Sequence, residues 1–90
     1  MALTVLNSPA DLCVEMRAAI ERAIPGSTAE VLAGSPGHFQ VRVIAAAFAG
    51  KSLVEQQQAV YAAIAHLMRG ADAPVHAIDR LQTVIAPPGG

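Results

Sequence analysis

Aromatic side chains are scarce in this chain of 90 residues: they make up 3% of it, and tryptophan is absent. Burial must therefore come from many small aliphatic contacts rather than from a few large rings. Cysteine occurs once, which excludes an internal disulfide and fits a reducing compartment. Six Lys and Arg against seven Asp and Glu leave a net charge of −1, poor equipment for neutralising nucleic-acid phosphates. The apolar runs are short and interrupted, so none has the length of a membrane span. The opening MALTVLNSPADL has no basic region ahead of its apolar residues and no cleavage site, so no secretory signal is expected and the location read is cytoplasmic. The acids are scattered, no nucleophile has a base at a suggestive spacing, and no phosphate-binding loop occurs, so no enzyme is expected. What is present is aliphatic: hydrophobic residues make up 53% of the chain, enough for one small domain without repeats or linkers.

The stretch from Gly37 to Tyr61 organises the rest. Phe39, Val41 and Val43 alternate with His38, Gln40 and Arg42, the period of a strand with one buried face. From Ile44 to Ala47 the small apolar residues suit cover on both faces. Phe48 precedes Gly50, and Ser52 and Glu55 then stand at capping-box spacing. Val60, Tyr61, Ile64, Leu67 and Met68 recur at helical spacing, so Lys51 to about Arg69 is predicted helical, in one piece or as a short helix and a longer one. The Gln56-Gln57-Gln58 run reads as one turn of polar helix surface.

Upstream, Met1 to Asn7 is an apolar leader, loosely ordered or lying against the sheet. Ser8-Pro9 starts a helix whose apolar stripe is Leu12, Met16, Ala19, Ile20 and Ala23, ended by Pro25-Gly26. Cys13 falls beside that stripe as a buried, inert thiol. Thr28 to Ala33 is a short strand, and Gly34-Ser35-Pro36-Gly37 turns it into the central one. Downstream, Ala71 to Pro74 connects to a third strand from Val75 to about Ile85. The tail from Ala86 to Gly90 should leave the ladder and be flexible. The order is αββααβ, an α+β two-layer domain over residues 1–90 with an ordered core from about residue 8 to 85. A strand–helix–strand crossover returns the chain parallel to its first strand. His76 should then lie at the same sheet end as His38 and the Gly34–Gly37 loop. His66, on the long helix, has no partner suggested by spacing.

Four motifs in order, His38-Phe39-Gln40-Val41-Arg42-Val43, Phe48-Ala49-Gly50-Lys51, Gln57-Gln58-Ala59-Val60-Tyr61 and His76-Ala77, resemble the BolA-like family over roughly Leu12 to Thr83. The resemblance implies a KH-like fold with a three-stranded mixed sheet and helices on one face. It also implies a small adaptor that binds a monothiol glutaredoxin and shares a 2Fe-2S cluster with it and with glutathione, in iron–sulfur trafficking or iron homeostasis. His76 stands where the family offers a histidine to iron. His38 is a second candidate ligand, and Ser35 occupies the loop position where relatives carry a cysteine, although a hydroxyl is a poor ligand for iron. Alone, the chain is then expected to bind no cofactor and to be a monomer or weak homodimer. The alternative implied by the family is a DNA-binding transcriptional regulator, for which Lys51, Arg69 and Arg42 are few cations, so weak or no nucleic-acid binding is expected. The KH-like G-x-x-G match of Gly34–Gly37 joins two predicted strands rather than two helices, and is read as accidental. The last strand departs from the family: its basic residue is one position nearer the histidine, and Val84-Ile85-Ala86-Pro87 replaces the usual ending.

Overall fold

The computed structural model describes residues 8–87, so the expectations for Met1–Asn7 and for Pro88–Gly90 lie outside the described residues. Helix α1 spans Pro9–Ala23. Its start is local chemistry: Ser8 Oγ accepts the Asp11 N–H at 3.0 Å, and Pro9 occupies the first turn, where its missing N–H costs nothing. Leu12, Met16, Ala19 and Ile20 are buried, as their spacing predicts. Ala23 is exposed instead, because the chain leaves the helix after it and buries Ile24 in its place.

Strand β1 (Thr28–Ala33) runs antiparallel to β2 (His38–Ala45), and β3 (Ala77–Ile85) runs parallel to β2 on its other side. The sheet order is β1-β2-β3, so β2 is central. Its alternation holds: Phe39, Val41, Val43 and Ala45 are buried, while Gln40 and Arg42 are exposed. The helices cover only the buried face. The expected two-sided cover of Ile44–Ala47 fails: Ile44 lies on the uncovered face and is only half-buried. The chain leaves the sheet in a 3-10 turn at Ala46–Phe48, which exposes Ala46 and Ala47 and sends Phe48 into the core.

Helix α2 spans Leu53–Met68 without a break, so the stretch from Lys51 to about Arg69 holds one helix and the two adjacent helices of the expected αββααβ order are not found; the 3-10 turn lies before that stretch. The capping box closes as its spacing predicts: Glu55 N–H donates to Ser52 Oγ at 3.1 Å, and Ser52 N–H to Glu55 Oε1 at 2.8 Å. Val60, Ile64 and Leu67 face the core. Tyr61 does not, because one residue past Val60 is about 100° further round the helix, and its ring stays exposed.

The glutamine run is also more than polar surface. Gln56 is four residues before Val60, in line with the buried stripe, and it is the one buried polar side chain among the described residues. Its Nε2 donates to Lys51 O at 3.0 Å and reaches Phe48 O at 3.5 Å, while its Oε1 accepts from Thr83 Oγ1 at 2.6 Å. One amide thereby ties the corner, α2 and β3 together.

Strand β3 starts two residues later than expected. Val75 is buried in the connector and its N–H donates to Leu67 O at 3.1 Å. Its apolar residues Ile78 and Leu81 are three apart, an odd spacing that a regular strand cannot place on one face. A bulge resolves this: Phe39 pairs with Ile78 but Gln40 pairs with Arg80, leaving Asp79 as the extra residue. Both Ile78 and Leu81 then pack against the core. At the far end Ala86 still donates to Ala45 O at 3.1 Å, one residue beyond the expected end of the ladder, and Pro87 has no N–H to continue it. Among the described residues no helix is long and apolar enough to cross a membrane.

Candidate functional site

The parallel crossover brings His76 beside the Gly34–Gly37 loop. The loop is closed by Gly34 N–H to His38 O and His38 N–H to Ser35 O, both 2.8 Å. The Gly37 carbonyl then accepts from His76 N–H at 2.8 Å and from Ala77 N–H at 3.1 Å. Two independent facts require glycine there. Its φ is +80°, a left-handed value that side chains disfavour, and a Cβ would stand 2.7 Å from His76 Cγ and Nδ1. The imidazole of His76 thus occupies the space that a side chain at residue 37 would take. It remains exposed, and no side-chain hydrogen bond among the described residues engages it.

His38 and Ser35 sit at the same end in different settings. His38 shares the outward face of β2 with Gln40 and Arg42, and its Nδ1 is 2.9 Å from Asp79 Oδ1, the carboxylate that the bulge turns toward it. Ser35 is exposed in the loop, where its carbonyl carries the turn. The three residues do not form a metal cage: among the described residues no group of three or more His, Cys, Asp and Glu is placed to hold an ion. His76 offers one exposed imidazole with no side-chain partner among the described residues.

The remaining reactive side chains are occupied otherwise. Cys13 is half-buried against the core, and burial pushes its thiol pKa up against the smaller opposing effect of a hydrogen bond with the Ala33 backbone, so the thiolate is disfavoured. His66 is exposed on α2, its Nε2 3.9 Å from Glu15 Oε2 on α1. Gly37 and Asp79 carry the site's geometry: the sequence shows Gly37 as a turn residue, and the odd spacing of Ile78 and Leu81 is the trace of the bulge at Asp79.

The order of elements, the mixed sheet and the loop–His76 junction can be compared with known proteins. The family profile described as BolA-like protein matches residues 9–84. The chain belongs to the BolA-like family. Among solved structures, the solution structure of BolA1 from Mus musculus is similar at a TM-score of 0.61 and 25% identity, covering 100% of this chain and 85% of that one. The NMR structure of a BolA-like hypothetical protein from Rickettsia prowazekii gives a TM-score of 0.59 at 22% identity, covering 97% of this chain and 100% of that one, and supports the fold alone. No curated protein matches the chain. As a BolA-like chain it has the α+β fold of its relatives: two α-helices over one face of a three-stranded mixed sheet.

Proposed function

We propose that this BolA-like protein is a non-catalytic adaptor that binds a monothiol glutaredoxin and shares a bridging 2Fe-2S cluster with it and with glutathione, in iron–sulfur trafficking or iron homeostasis. The observation that carries the reading is the setting of His76. Its backbone is held by two hydrogen bonds to the Gly37 carbonyl, its ring is fitted into the space of an absent side chain, and its nitrogens are left for an outside group. A ligand on a rigid frame loses little freedom on binding, which favours a shared site over a flexible one. His76 supplies imidazole where the partner and glutathione supply thiolates, and imidazole in place of thiolate raises the potential of such a cluster. His38 is the lesser contributor, because its Nδ1 is already bonded to Asp79. The single half-buried cysteine suits a reducing compartment, the cytoplasm in this reading.

The test is reconstitution of the protein with a monothiol glutaredoxin, glutathione, iron and sulfide, followed by circular dichroism in the visible range. Adding the wild-type protein should change the cluster spectrum, whereas His76→Ala should produce no change and keep the wild-type unfolding midpoint, since the ring is exposed. If His76→Ala gives the wild-type spectrum, the ligand assignment fails.

A further inference from the structure

The sheet face away from the helices is uncovered, and the strand register specifies what it displays. Leu32, Gln40 and Arg80 form one row across β1, β2 and β3, and Glu30, Arg42 and Gln82 form the next. These residues line a shallow cavity of about 230 Å³. Within it two guanidiniums and two amides face a single carboxylate, and that carboxylate is already used: Glu30 Oε1 lies 3.5 Å from Arg42 Nη1. Arg80 is different. Its sequence neighbour Asp79 is the bulged residue, and its carboxylate is turned to His38 at 2.9 Å, so Arg80 has no carboxylate partner among the described residues. The bulge that lets Ile78 and Leu81 share the core thereby leaves a cavity lined by two arginines against one glutamate, with the Asp79 carboxylate beside it turned to His38. Leu32, 67% exposed, gives the same patch an apolar rim.

We propose that this face docks an acidic segment of a partner protein, with Arg80 as the carboxylate anchor, Gln40 and Gln82 as flanking donors and Leu32 as the apolar contact. Charge complementarity selects the occupant. The Arg80 guanidinium has donors and no acceptor, and its planar fork matches a carboxylate with two parallel bonds. Single-stranded nucleic acid is disfavoured on two counts. The chain has two phenylalanines and one tyrosine, and none is on this face: Phe39 and Phe48 are buried and Tyr61 is on α2, so no ring is there for bases to stack on. One uncompensated arginine also falls far short of the row of cations that a phosphate backbone requires. The proposal is independent of the His76 reading.

The test is a backbone-amide NMR titration of the whole protein with the peptide acetyl-Glu-Glu-Leu-Glu-Glu-amide, with the same peptide carrying Gln for Glu as control and a hexathymidylate as the competing class. The expected result is saturable shifts centred on Gln40, Arg80 and Gln82 that weaken with rising salt and are absent with the Gln peptide. Arg80→Gln should weaken binding about tenfold, the loss of one charge-assisted bond, at an unchanged unfolding midpoint. Arg69→Gln, at the end of α2, should leave binding as in the wild type. Shifts that map elsewhere, equal binding of the Gln peptide, indifference to Arg80→Gln, or tighter binding of hexathymidylate at the same residues would each overturn the proposal.

Discussion

Truncating Gln56 to alanine tests whether the buried amide, rather than the apolar stripe alone, holds α2 to the sheet. Two of its hydrogen bonds have good geometry, to Lys51 O at 3.0 Å and from Thr83 Oγ1 at 2.6 Å, while the contact with Phe48 O at 3.5 Å is too long to count fully. Each good bond is worth about 0.5–1.5 kcal/mol net, and truncation also leaves the Lys51 carbonyl and Thr83 hydroxyl without a protein partner and opens a small cavity. The expected cost is about 2–4 kcal/mol, which for a domain of this size lowers the unfolding midpoint by about 10–25 °C. Urea and thermal unfolding followed by far-ultraviolet circular dichroism measure it directly. Gln58→Ala, two residues along and exposed, is the reference and should stay within about 0.5 kcal/mol of wild type. Gln56→Glu separates shape from bonding. It keeps the volume but turns the donor toward Lys51 O into an acceptor, so it should destabilise at neutral pH and recover part of the loss in acid, where the carboxyl again donates. The reasoning is refuted if Gln56→Ala unfolds together with Gln58→Ala.

Other outcomes follow from the same contacts. Phe39→Ala removes a side chain 2% exposed at the centre of the sheet and should cost about 3–5 kcal/mol in urea unfolding, with Val41→Ala costing less. Gly37→Ala meets both a φ of +80° and a contact 2.7 Å from the His76 ring, so it should lose about 1–2 kcal/mol and also shift the His76 ring resonances; unmoved resonances would refute the fitted-ring geometry. Glu55 titrates below the ordinary carboxylate range, chiefly because the Ser52 backbone N–H bonds its charged form. A lowered folded-state value stabilises above the ordinary glutamate pKa of about 4.3, and that stability is lost as pH falls through the folded value. Unfolding midpoints of wild type and Glu55→Gln should therefore converge in acid. Ser35→Cys should lengthen cluster retention in the glutaredoxin mixture, measured as the decay of visible absorbance, since thiolate suits iron better than hydroxyl.

Features that depend on neighbours along the chain are legible in the sequence alone. The Ser8 and Ser52 caps close over three residues, and the alternation of Phe39, Val41 and Val43 needs only the two-residue period of a strand. The parallel return of a strand–helix–strand crossover then puts His76 at the loop end of the sheet from connectivity alone. What stays hidden depends on which distant segments meet. Gln56 and Thr83 are 27 residues apart, and His38 and Asp79 are 41 apart; no local pattern records either pair. The odd spacing of Ile78 and Leu81 signals a conflict, but only packing against β2 and the helices decides that a bulge at Asp79 resolves it. That decision gives His38 its carboxylate and leaves Arg80 without one. Likewise Gly37 reads as a turn residue in sequence, and only the parallel partner strand makes it the seat of His76, because a missing Cβ has consequences only when another chain segment fills its space.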